Sequence, residues 1–189
     1  MESERWSVKL PIAAPCPVER DRFVLFFHRL IQDASLPELT VDVTDYSHVP
    51  NGPGVMLICH EAHYSLDTSG AGLGLKCATR RGAQGDTKAR IERALRKALT
   101  LASLMETHEV LAGQVRFDTR TALFAVEDRL AAPSTQATFN SIAPIVATVA
   151  ERAWGAPPVL SLASTEKECF QIELTSPVGP SVTELLSRI

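Results

Sequence analysis

Four cysteines in 189 residues (Cys16, Cys59, Cys77 and Cys169) form no C-x-x-C pair, which argues against a zinc site and a disulfide scaffold. Long apolar runs are also missing. The longest candidate, around Ile142 to Ala150, is short and carries Pro144 and Thr148, whereas a bilayer span needs about 20 apolar residues. No membrane partner is expected. The stretch MESERWSVKL opens with acidic residues and lacks the apolar core of a signal peptide, so a cytoplasmic location is expected. Aromatic residues are scarce at 6%, and none lies between Tyr64 and Phe117. No G-x-S-x-G elbow and no Walker lysine occurs, so no reaction class follows from motif, and no cofactor is expected.

What remains is an ordinary globular composition. Hydrophobic residues make up 45% and charged residues 22%, which argues against disorder, and a net charge of −3 is too small to imply a polyionic partner for the whole molecule. A chain of this length fits one domain over 1–189, and hides roughly 70% of its unfolded surface without a staple.

Hydrophobic spacing sets the expected elements. Trp6 to Ala13 reads as a strand, and Phe23, Phe26, Phe27, Leu30 and Ile31 share one helical face behind Pro17. Leu39 to Thr44 reads as a short strand. GVMLICHEAHYSLD then reads as one long strand, returning through TSGAG to Gly72–Arg80 as a hairpin over 54–80. Asp86 or Thr87 caps a helix through Glu106, with Ile91, Ala94, Leu95, Ala98, Ala102 and Met105 as its apolar stripe. Gln114 to Val126 is one bent strand or two short ones. Ser134 to Ala153 is helical, with Gly155 as its C-cap and a kink or break at Pro144. Two strands, Val159 to Ala163 and Cys169 to Leu174, precede a last short helix opened by the capping box Ser181-Val-Thr-Glu184. Short links between strands favour antiparallel pairing. The expected class is α+β, a mainly antiparallel sheet with helices packed on one face and two loosely similar halves without a residue-level repeat.

Chemistry-bearing side chains concentrate in residues 41–67. Both tyrosines, Tyr46 and Tyr64, lie there with His48, His60 and His63 and with Asp42, Asp45 and Glu61. On a single strand His60 and His63 point to opposite sides, so HEAH is not read as a metal pair. The same parity puts His60 on the apolar face with Met56, Ile58, Ala62, Tyr64 and Leu66, where a buried, hydrogen-bonded histidine is expected. Glu61 and His63 then share a solvated charge ladder with Lys76 and Arg80. The loop DYSHVPNGPG could supply acid, base and hydrogen bonds to a ligand from Asp45, Tyr46, Ser47, His48 and Asn51. It reads equally as a structured turn in which Asp45 and Ser47 bond local backbone.

The run DYSHVPNGPGVMLICHEAHYSLD, with the preceding FFHRLIQ, resembles a family of bacterial proteins, most clearly over residues 25–80. That resemblance implies kinship at the scale of the fold. It carries no activity and no catalytic residue.

SGAGLGLK lacks the G-K-[ST] ending of a phosphate loop and leads into a strand, so it is read as a hairpin turn. Lys76 to Lys97 holds eight basic residues against Asp86 and Glu92, a local +6 that leaves −9 for the rest. Such asymmetry could attract an anion or nucleic acid, although without aromatic residues base stacking is unsupported and a solvated helix face is the simpler reading. The leading expectation is a small-ligand or protein-binding domain using residues 44–64, with Asp45, Tyr46, His48, Asn51, His60 and Tyr64 as candidate contacts. An enzyme built on Asp45, His48, His60 and Tyr64 is the alternative, anion or nucleic-acid binding by 76–97 the third. An exposed sheet edge leaves room for a homodimer.

Overall fold

A computed structural model describes residues 5–50, 52–69, 72–82, 84–165 and 167–189. The chain winds onto one sheet twice. Strand β1 (Trp6–Pro11) leads into helix α1 (Arg20–Gln32), which carries the chain to one sheet edge. There β2 (Thr40–Asp45), β3 (Val55–Cys59), β4 (Ala62–Asp67) and β5 (Gly74–Thr79) meander back until β5 pairs with β1, and helix α2 (Thr87–Thr107) follows. Strand β6 (Thr121–Val126) pairs with the other side of β1 and starts again. Helix α3 (Gln136–Trp154), β7 (Val159–Leu162) and β8 (Gln171–Thr175) return the chain beside β6, and α4 (Val182–Arg188) closes it. The eight-stranded sheet has the order β2-β3-β4-β5-β1-β6-β8-β7, and every pairing is antiparallel. The architecture is α+β, with the helices packed against the sheet; the first winding supplies five strands and the second three.

Local chemistry explains the helices. Phe23, Phe26, Phe27 and Leu30 form the buried stripe of α1 at spacings of three and four. Each fully buried phenylalanine contributes about 1.5–3 kcal/mol by leaving water. The Asp86 carboxylate accepts from the Ala89 N–H at 2.8 Å and starts α2. Pro144 lies inside α3, which continues through it to Gly155, a C-cap at φ 74°. The capping box of α4 is complete, with Glu184 accepting from the Ser181 N–H at 2.7 Å.

Parity along the strands divides the sheet into two faces. Trp6, Val8, Leu10, Tyr64, Leu66, Leu75, Cys77, Phe124, Ile172 and Leu174 are buried in the core. Ser7, Lys9, Ser65, Lys76, Leu123 and Glu173 share the opposite face. There Lys9, only 4% exposed, pairs with Asp67 at 3.3 Å, and Lys76 reaches Glu127 at 2.8 Å.

Two sequence expectations need correction. The segment 54–67 is two strands, with a tight turn at His60-Glu61. Met56 pairs with Ser65, Leu57 with Tyr64 and Ile58 with His63, so odd positions of β3 share a face with even positions of β4. Val55, Leu57 and Cys59 therefore enter the core, Met56 and Ile58 leave it, and His60 is exposed. VMLIC is apolar at every position and shows no alternation, and His-Glu is not a recognised turn pair, so nothing local marked the reversal. Further along, only Thr121–Val126 of the 114–126 segment is regular strand, and Phe117 adds a single bridge to Ile12.

Candidate functional site

The side chains singled out in residues 41–67 separate to the two ends of β3. At roughly 3.3 Å per residue, its five residues hold those ends about 13 Å apart.

At the Val55 end, the loop 46–54 folds over an apolar floor. Backbone bonds from Val49 N to Tyr46 O, from Gly52 N to Val49 O and from Tyr46 N to Gly54 O, each 2.9 Å, tie its described residues together. The Asp45 carboxylate accepts from the Ser47 N–H at 2.8 Å and lies 3.4 Å from Arg20 Nε. Hydrogen bonds from Ser47, with smaller help from the charges of Arg20 and His48, hold its carboxyl below the usual range. The rings of Tyr46 and His48 stack with centroids 6.5 Å apart. Gly54 has φ 68°, and a Cβ there would lie 2.4 Å from the Leu66 carbonyl oxygen, so the end of the loop requires glycine. Beneath the loop is a pocket of about 470 Å³. Phe23, Val55, Leu66 and Leu73 form its apolar lining, and Arg20, Tyr46, Ser47 and Thr68 its polar lining. Asn51 lies outside the described residues.

At the Cys59 end, Tyr64 is buried and its hydroxyl donates to Glu38 at 2.6 Å. Lys97 of α2 donates to the same carboxylate at 2.8 Å and to Glu61 at 2.9 Å, while the Glu61 N–H donates to Glu38 at 3.0 Å. Burial alone would lower the Lys97 pKa, but its bonds to the two glutamates outweigh that and raise it. Burial, with the Glu38 charge, pushes the Tyr64 hydroxyl up and pushes Cys59 up to about 12; burial likewise raises Cys77. These thiols stay protonated at neutral pH, so they are not nucleophiles. Tyr64 thus belongs to a buried cluster and has no hydroxyl free for a ligand.

His60 sits outside that cluster. Its N–H donates to the Leu39 carbonyl at 2.9 Å, and its exposed ring borders a second cleft of about 380 Å³ with Glu61, Arg80, Arg81, Gln84 and Arg93. Asp45, Tyr46 and His48 are together; His60 and Tyr64 share neither their pocket nor each other's environment. Among the described residues no three His, Cys, Asp or Glu side chains gather as a metal-binding group, and no helix is long and apolar enough to cross a membrane.

Sequence reasoning missed Glu38 and Arg20, and it placed Lys97 in a basic stretch without its carboxylate partners. Glu38 stands 26 residues before Tyr64 and 59 before Lys97, with no periodicity linking them. No family model matches the chain, and no curated protein matches it.

Proposed function

We propose that the chain is a small-ligand binding protein whose site is the pocket beneath the 46–54 loop. What carries this reading is the construction of the pocket. An apolar floor of Phe23, Val55, Leu66 and Leu73 lies under a wall held by backbone bonds, with a few polar groups at the rim. Its volume of about 470 Å³ falls within the roughly 300–1,000 Å³ of ligand sites. The ligand this favours has a compact apolar body and a polar end directed to Arg20, Ser47 and Thr68. An enzyme at this place has less support, because Asp45 is engaged by Ser47 and Arg20. Kinship with the bacterial proteins that residues 25–80 resemble, and a cytoplasmic location, belong to the same proposal.

Screening small aromatic and aliphatic compounds by amide NMR tests it. Binders should shift Phe23, Val55, Leu66 and Leu73 together, and Thr68→Trp, at the exposed rim, should abolish those shifts while the protein stays folded. A screen in which no compound perturbs these residues, or in which Thr68→Trp changes nothing, overturns the reading.

A further inference from the structure

The β3–β4 turn brings an exposed histidine against three arginines from two other elements. The Arg80 N–H donates to the Glu61 carbonyl at 2.9 Å, which fixes the end of β5 against the turn carrying His60. Arg81 and Gly82 continue from β5, and Arg93 projects from α2 to complete the cleft. None of Arg80, Arg81 and Arg93 forms a salt bridge or side-chain hydrogen bond with a described residue. Arg93 is half-buried, and its charge helps that of Lys97 to hold the Glu61 carboxyl below the usual range. The single carboxylate of the lining, Glu61, is taken by Lys97 at 2.9 Å. The cleft therefore offers three cationic forks and an imidazole, with its acid already neutralised.

We propose that this cleft, bordered by His60, Arg80, Arg81 and Arg93, binds the phosphate group of a small molecule. Guanidinium groups match phosphate oxygens with paired, charge-assisted hydrogen bonds, and groups arriving from a turn, a strand end and a helix can surround a tetrahedral anion. A nucleic-acid strand is less favoured, because the cleft is local and its lining includes no phenylalanine, tyrosine or tryptophan for stacking a base. The site is independent of the pocket at the Val55 end, and either can fail without the other.

Inorganic phosphate is the probe, titrated at constant ionic strength while the His60 ring resonances are followed by NMR. The expected result is a saturable shift at millimolar phosphate. Arg80→Gln and Arg93→Gln should each weaken it roughly tenfold, as expected for loss of a charged hydrogen bond. Arg96→Gln, on the exposed surface of α2 outside the cleft, should leave it unchanged. Thermal melts of the variants separate lost binding from lost folding. A shift that never saturates, or that is equal in all three variants, overturns the proposal. So does binding to a single-stranded oligonucleotide that Arg96→Gln weakens as much as Arg93→Gln, which would mark an extended nucleic-acid surface.

Discussion

The hydroxyl of Tyr64 donates to Glu38 at 2.6 Å, and the same carboxylate oxygen receives Lys97 at 2.8 Å. Three segments far apart in sequence, the α1–β2 connection, β4 and α2, are thereby joined at one buried carboxylate that is 3% exposed. The cluster lies between the core and the basic cleft, and by engaging Glu61 through Lys97 it leaves the cleft without a free acid.

Removing Lys97 should therefore be far more damaging than removing its second partner. Lys97→Met leaves Glu38 buried without its counter-ion and should cost about 3 kcal/mol. Glu61→Gln should cost less than about 1 kcal/mol, because that carboxylate is 57% exposed and its pairing is screened by solvent. Urea melts of the two variants check this, and equal losses would show that the cluster is not the unit described.

Histidine substitutions distinguish the two-strand arrangement from a single strand. His60→Ala should change stability by no more than about 0.5 kcal/mol, since the ring is exposed and only its backbone N–H is engaged. His63 faces the other way energetically. Burial first, then the charges of Arg80 and Arg5, lower its pKa, and its Nδ1 has no hydrogen-bond partner among the described residues. The folded state thus binds the proton less well than the unfolded chain. Stability should be complete above the unfolded value of about 6.5 and fall as pH drops toward the lower folded value. His63→Gln should remove that slope and His60→Gln should keep it, as read from urea midpoints across pH 5 to 8.

Asp67 governs the next window down in pH. Burial pushes its carboxyl up, but bonds from Ser69 and the charges of Lys9 and Lys76 outweigh this and hold it below the usual range. Its stabilisation is present above the unfolded value of about 3.9 and is lost as pH falls through the lower folded value. Asp67→Asn should flatten that acid limb. At neutral pH it should also cost about 3 kcal/mol, because Lys9 would remain buried without a counter-ion. Acid titrations of both proteins, followed by circular dichroism, give the comparison.

Much of the fold was legible because it rests on local patterns. The stripe of Phe23, Phe26, Phe27 and Leu30, the Asp86 cap and the Ser181–Glu184 capping box each operate within one or two helical turns, where sequence spacing and spatial spacing coincide. Short links between strands likewise implied the antiparallel sheet. A structured turn was one of two equal readings of the loop around Asp45, and its Asp45–Ser47 bond is a contact between residues two apart.

The sites depended on distances that sequence does not encode. Grouping the candidates of residues 41–67 assumed that neighbours in sequence remain neighbours in space, and β3 separates His48 from His60 by running straight between them. A turn of two residues, His60-Glu61, decided which face of β3 is buried, because alternation has period two and a reversal exchanges the odd and even sets. The partners that give each end its chemistry, Arg20 beside Asp45, Glu38 beneath Tyr64 and Arg93 across from His60, come from elements docked by burial of their apolar faces. That docking is non-directional in its driving force and leaves no mark at the polar residues it brings together.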